Sequence, residues 1–131
     1  MLNRRSLILA AATASILAHS PFANAAERMS FTPQAFEAAQ KAGSPILVDI
    51  SAPWCPTCKA QKPIVSQLTS TPRFKDLKIF DVDFDSQKDA VGAFNARTQS
   101  TLIVFKGAQE TARSVGDTNA SSIASLLDKA I

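Results

Sequence analysis

The sequence predicts an α/β domain in which a central mixed β-sheet carries helices on both faces. Three observations lead there. Ile46-Leu47-Val48-Asp49-Ile50 is a short, nearly continuous apolar run, as expected for a strand covered on both sides. A helical segment separates it from a second strand-like run, Leu77 to Phe84, and two strands joined by a helix imply a right-handed parallel crossover. Thr101 to Phe105 and Glu110 to Val115 then flank the turn Lys106-Gly107-Ala108-Gln109, a hairpin that adds antiparallel strands at one side.

The remaining elements follow in chain order. A short strand is expected near Met29. Thr32-Pro33 opens the first helix, with Thr32 as N-cap and Pro33 at the first helical position. Phe31 and Phe36 then occupy the hydrophobic-staple positions. This helix should reach about Ala42, where Gly43 suits the C′ position and Pro45 prevents continuation. A second helix should begin near Cys55, with Pro56 in its first turn, and run to about Thr69. Pro63 removes one of its backbone bonds and predicts a kink. Ser86 is the expected cap of a third helix, with Ala90, Val91 and Phe94 on its apolar face. Gly116 breaks the last strand. Asn119 or Thr118 caps a final helix that buries Ile123, Leu126, Leu127 and Ala130.

A chain of 131 residues is enough for one domain. Its first 25 or so residues read as a secretory signal peptide. Arg4 and Arg5 form the positive region, Leu7 to Ala18 the apolar region, and Ala23-Asn24-Ala25 the cleavage site. The apolar stretch falls short of the roughly 20 residues of an ordinary membrane-spanning helix. An uncleaved N-terminal anchor is the alternative. Arg4-Arg5-Ser6-Leu7-Ile8 also loosely fits a twin-arginine signal, so the export route stays open. The mature domain is then 26–131.

Fourteen basic residues stand against eleven acidic ones, and the leader holds two of the basic residues. No basic cluster points to nucleic acid. The one histidine, His19, lies in the leader, so the mature chain has too few soft ligands for a closed zinc site. No cofactor is implied.

Both cysteines of the chain lie in Trp54-Cys55-Pro56-Thr57-Cys58, directly after the apolar strand. A disulfide needs Cα atoms roughly 4.4–6.8 Å apart, and the first turn of a helix supplies that spacing. This context reads as a redox pair cycling between dithiol and disulfide. A structural staple is the bland alternative in an oxidising compartment. A loop this short, however, removes little entropy from the unfolded chain and stabilises poorly. Unpaired N–H groups and the helix dipole should hold the Cys55 thiol below its usual pKa. Lys59 adds a modest charge or is an ordinary solvated lysine. Asp49 is the anomaly in its strand. Burial should raise its pKa and suit it to acid–base work near neutrality, unless it turns to solvent at a strand end.

From about Phe31 to Ile131 the chain resembles the thioredoxin family in its exported bacterial form. The matching residues are Val48-Asp49, Trp54-Cys55-x-x-Cys58-Lys59, Pro63, Phe105-Lys106 and Val115-Gly116. The resemblance implies the thioredoxin fold and a periplasmic thiol–disulfide oxidoreductase. Cys55 would attack a partner's disulfide. Cys58, the more buried of the two, would resolve the mixed disulfide. Asp49 would lie behind Cys58 and take its proton through water. Trp54 would pack beside the disulfide. Trp54, Pro56, Thr57, Ser100, Thr101 and Gly116 would form the surface that meets the partner. The implied partners are exported proteins with disulfides or thiols and a membrane thiol–disulfide electron donor, with the protein itself a monomer.

Three departures from the family stand out. Pro56-Thr57 replaces Gly-Pro between the cysteines. Gly107-Ala108 reverses the usual turn order. Ser100 stands where the family has its cis-proline, and no proline follows Pro72. A cis bond before serine costs about 2.5–4 kcal/mol, so Ser100 should be trans. Its hydroxyl would then be free to donate to the Cys55 thiolate. Reduction of partners is the expected direction, because the small domain lacks the helical insert of the family's periplasmic oxidases. The alternatives are a thiol oxidase of the same fold, an iron–sulfur cluster shared by two chains through four thiolates, and a redox-inactive binding module.

Overall fold

The computed structural model describes residues 25–131, so the expected leader, apart from Ala25, lies outside the described residues. The chain forms β1 (Glu27–Ser30), α1 (Pro33–Lys41), β2 (Pro45–Ser51), α2 (Pro56–Thr69), a 3-10 turn (Pro72–Phe74), β3 (Lys78–Asp83), α3 (Lys88–Ala93), β4 (Thr101–Lys106), β5 (Gln109–Val115) and α4 (Ala120–Asp128). The strands make one sheet in the order β1-β3-β2-β4-β5. β3 pairs parallel with both β1 and β2. β4 runs antiparallel to β2, and β5 antiparallel to β4. This is the mixed sheet that the helix-linked strands and the hairpin predicted.

Local chemistry explains most boundaries. Thr32 Oγ1 accepts the Ala35 N–H at 3.2 Å and caps α1. The staple closes, with the rings of Phe31 and Phe36 5.6 Å apart. Asn119, not Thr118, caps α4, its side chain accepting the Ser122 N–H at 3.0 Å. Pro63 lies inside α2, which continues past it to Thr69.

The start of α3 differs from the expected one. Ser86 does not cap it. Asp83 captures Ser86 instead, its carboxylate accepting the backbone N–H at 2.8 Å and the hydroxyl at 2.9 Å. Gln87 takes the cap position without a capping bond. Its amide spans the end of β3 and the end of β1, accepting from Asp83 N–H at 3.0 Å and donating to Phe31 C=O at 3.1 Å. A charged acceptor three residues upstream outcompetes the helix for the serine. The 3-10 turn at Pro72–Phe74 was also not anticipated; it buries Phe74 against the core.

Side chains alternate across the sheet and divide the core in two. Ile46, Val48 and Ile50 of β2 join Phe80, Val82, Ile103 and Phe105 on the face covered by α1 and α3. Phe36 sits at the centre of an edge-on aromatic cluster there, 5.2 Å from Phe94 and 5.3 Å from Phe105. Leu47 faces the other way with Ile79, Leu102 and Val104, under Val65 of α2 and Ile123, Leu126 and Leu127 of α4. Each large side chain so buried contributes about 1.5–3 kcal/mol. The same alternation puts Asp49 on the Leu47 side, beneath α2.

Candidate active site

Strand register gathers the site at one end of the sheet. Ile50 of β2 pairs with Thr101 at the start of β4, and Thr101 pairs with Val115 at the end of β5. From Ser51 the chain passes Trp54 and enters α2 at Cys55. Ser100 immediately precedes β4, and Gly116 immediately follows β5. The Gly116 N–H donates to the Ser100 carbonyl at 2.9 Å, with Gly116 at φ 71°, where glycine has no steric cost. All the sequence-predicted contact residues therefore cluster, with Pro56 and Thr57 in the first turn of α2.

Cys55 and Cys58 form a disulfide with their Cα atoms 5.3 Å apart. Cys55 is the N-cap of α2, extended at φ −85° and ψ 112°, with Pro56 at N1. Its sulfur accepts the Cys58 N–H at 3.0 Å, as a capping oxygen would. Any negative charge on that sulfur is thus met by a backbone donor and by the positive end of the helix dipole. The expected difference in burial is not present in this oxidised form. Cys55 is 1 % exposed and Cys58 4 %, because the bond draws both into one small apolar cluster with Ala52 and Phe84. The two differ in another way. Cys58 lines a cavity of about 270 Å³ together with Ser51, Pro53, Lys59, Lys62 and Asp83.

Asp49 is 3 % exposed. Burial pushes its pKa above the usual carboxylate value, and the charge of Asp81 adds to the rise. Arg28 and Lys62 oppose it. Asp81 is the register partner of Asp49 on β3. Arg28 reaches across from β1, pairs with Asp81, and stands 3.4 Å from Asp49. Asp49 is therefore not a strand-end aspartate turned to solvent. Lys62 connects this buried group to the Cys58 cavity, since it both lines the cavity and acts on the Asp49 charge.

Trp54 is 56 % exposed, and its indole N–H donates to Asp85 at 2.7 Å. That bond ties the ring to a residue just beyond β3. Ser100 is buried, trans, and left-handed at φ 58°. That backbone costs a non-glycine residue about 1–3 kcal/mol. In this oxidised form, where Cys55 carries no thiolate, its hydroxyl donates to the Gln99 carbonyl at 2.6 Å. The nearest acceptor along the chain wins, because the left-handed turn brings it within reach. Thr101 likewise folds back, its hydroxyl donating to Thr98 C=O at 2.8 Å.

Sequence reasoning missed three residues: Arg28, Asp85 and Gln61. Gln61 is buried, and its amide donates to the carbonyls of Ser100 and Asp117. A polar residue three positions after Cys58, on the inner side of α2, was the available signal. Among the described residues no group of three or more His, Cys, Asp or Glu is placed to hold a metal ion.

Known proteins match this arrangement. A sequence profile of the thioredoxin family matches residues 27–129. A thioredoxin of Synechocystis is 32% identical over 106 residues, covering 77% of this chain and 98% of its own length. Thioredoxin C-2 of Corynebacterium nephridii is 36% identical over 90 residues, covering 69% of this chain and 82% of its own. The crystal structure of Trxlp from Edwardsiella tarda superimposes with a TM-score of 0.76 at 40% identity, covering 77% of this chain and 98% of that one. With a disulfide capping the helix that follows the central strand, and with these relatives spanning nearly the whole described domain, the chain belongs to the thioredoxin family of protein-disulfide oxidoreductases.

Proposed function

We propose that this protein is an exported, periplasmic thioredoxin that reduces disulfides in partner proteins through Cys55 and Cys58. The observation that carries the reading is the disulfide whose Cys55 caps the front of α2, next in sequence to the exposed Trp54. Export rests on the leader pattern of residues 1–25.

The cycle balances as a two-electron exchange. The Cys55 thiolate attacks one sulfur of a partner disulfide. That bond breaks, a mixed disulfide forms, and the first partner thiolate leaves and takes a proton. Cys58 then loses its proton to Asp49 through water and attacks the Cys55 sulfur. The second partner thiolate leaves, and the Cys55–Cys58 bond is restored. A membrane thiol donor returns two electrons to the pair.

The likeness to the thioredoxins of Synechocystis and Corynebacterium nephridii supports reduction over oxidation. A strong oxidant stabilises its reduced thiolate heavily. Trp54, Pro56, Thr57, Ser100, Thr101 and Gly116 form the surface that receives the partner, with Ser100 at the family's cis-proline position. Equilibration of the pair in glutathione or dithiothreitol buffers tests the direction. A reductase should lie near about −270 mV, and a value near about −120 mV would mark an oxidant.

A further inference from the structure

Gln61 lies one turn beyond Cys58 on α2 and is 2 % exposed. Its amide nitrogen donates to the Asp117 carbonyl at 2.8 Å and to the Ser100 carbonyl at 3.3 Å. We propose that Gln61 is a positioning residue for disulfide exchange: it ties the helix bearing both cysteines to the two loops beside them and so presets the surface on which a partner docks. The docking part of this inference rests on the function proposed above.

The loop before β4 is closed on itself. The Thr98 carbonyl accepts from the Thr101 hydroxyl at 2.8 Å, and the Gln99 carbonyl from the Ser100 hydroxyl at 2.6 Å. From outside the loop, the Phe94 carbonyl accepts from Arg113 of β5 at 3.0 Å, and the Ser100 carbonyl accepts from the Gly116 N–H and from Gln61. A left-handed serine persists only where its surroundings over-determine it. The two donors to Ser100 are the surroundings here. Gly116 ties the loop to β5. Among the hydrogen bonds of the described residues, the one from Gln61 ties it to the redox helix.

The second acceptor extends the clamp. The Asp117 carboxylate accepts the Asn119 N–H at 2.9 Å and the Ser122 hydroxyl at 2.6 Å, at the start of α4. Gln61 therefore joins α2, the loop before β4 and the entry to α4 through a single side chain. An apolar residue of the same length would fill the space but leave the Asp117 carbonyl without its side-chain donor.

The test compares wild type with Gln61→Met, which keeps the volume and removes both donors, and with the double variant Gln61→Met/Ser100→Gly. Glycine accepts the left-handed backbone freely, so it should rescue a lost clamp but not a packing defect. In Gln61→Met the Gly116 amide should exchange with solvent about tenfold faster, and KM for insulin disulfides should rise about tenfold. Turnover number and the equilibrium with glutathione should stay within about twofold of wild type, and the double variant should regain most of the lost KM. Unchanged Gly116 exchange overturns the clamp. Equal losses against insulin and a small aromatic disulfide, or no rescue by glycine, overturn the docking role. A wild-type protein that turns over the small disulfide but not insulin would instead sink the proposed function, and the docking role with it.

Discussion

The guanidinium of Arg28, on the edge strand β1, stands 3.4 Å from the buried carboxylate of Asp49, two strands away in the sheet. Arg28 also pairs with Asp81, the neighbour of Asp49 across the β2–β3 ladder. One partly exposed cation therefore offsets two adjacent carboxylates. Burial wins at Asp49, whose pKa remains raised.

Removing that cation should raise the Asp49 pKa further. If ionised Asp49 accepts the Cys58 proton, the acid limb of the pH–rate profile should move to higher pH in Arg28→Met. The expected shift is about one pH unit, the lower end of what an adjacent arginine does to an aspartate. Stopped-flow measurement of the resolving step across pH checks it. An unmoved limb would separate Asp49 from the proton transfer.

Asp49→Asn should have two opposite effects. The folded pKa of Asp49 lies above its unfolded value. The folded state thus holds the proton more tightly between the two values, and stability falls as pH rises through that window. Asparagine carries no such penalty, so the variant should be more stable than wild type at pH 7 and lose that slope. Resolution by Cys58 should slow about tenfold or more. Urea unfolding at several pH values, beside single-turnover kinetics, reads both. A destabilised variant at neutral pH would contradict the sign.

The two cysteines should fail differently. Cys58→Ser should accumulate a covalent mixed disulfide with a protein substrate, visible by non-reducing electrophoresis. Cys55→Ser should form none and lose activity by several orders of magnitude. Trapping by Cys55→Ser through Cys58 would reverse the assigned roles.

Ser100 pays for its left-handed backbone, so Ser100→Gly should stabilise the fold by about 1 kcal/mol. Ser100→Pro should destabilise it by about 2 kcal/mol or more, since proline requires φ near −65° where the chain holds 58°. Chemical denaturation of both variants decides. A proline variant as stable as wild type would show that this loop has a second conformation of similar energy.

The elements that sequence reasoning located correctly are those whose determinants lie within a few residues. Thr32 caps α1 because Ala35 is three residues on, and Phe31 staples Phe36 across one turn. The start of α3 failed for a related reason: Asp83 and Gln87 both act over short range, but Asp83 engages Ser86 from a strand end whose orientation the sheet sets. At the site, the cysteine pair was legible because its spacing and its helix start are both local. The roles of the surrounding residues were not. A bond from the Ser100 hydroxyl to a Cys55 thiolate was one reading of that position, and in the oxidised form the left-handed hydroxyl donates to Gln99 instead.

By itself, the sequence determined the dithiol, the helix that Cys55 caps and the mixed sheet. Each follows from residue type, local spacing, or alternation along a strand. Tertiary structure alone decided which charges and donors meet. Arg28 reaches Asp49 only because β1 lies beside β3 in a particular register, and Gln61 reaches Ser100 and Asp117 only because α2 packs over that end of the sheet. Contacts between residues 20 to 60 positions apart depend on how elements pack, and no local period encodes that.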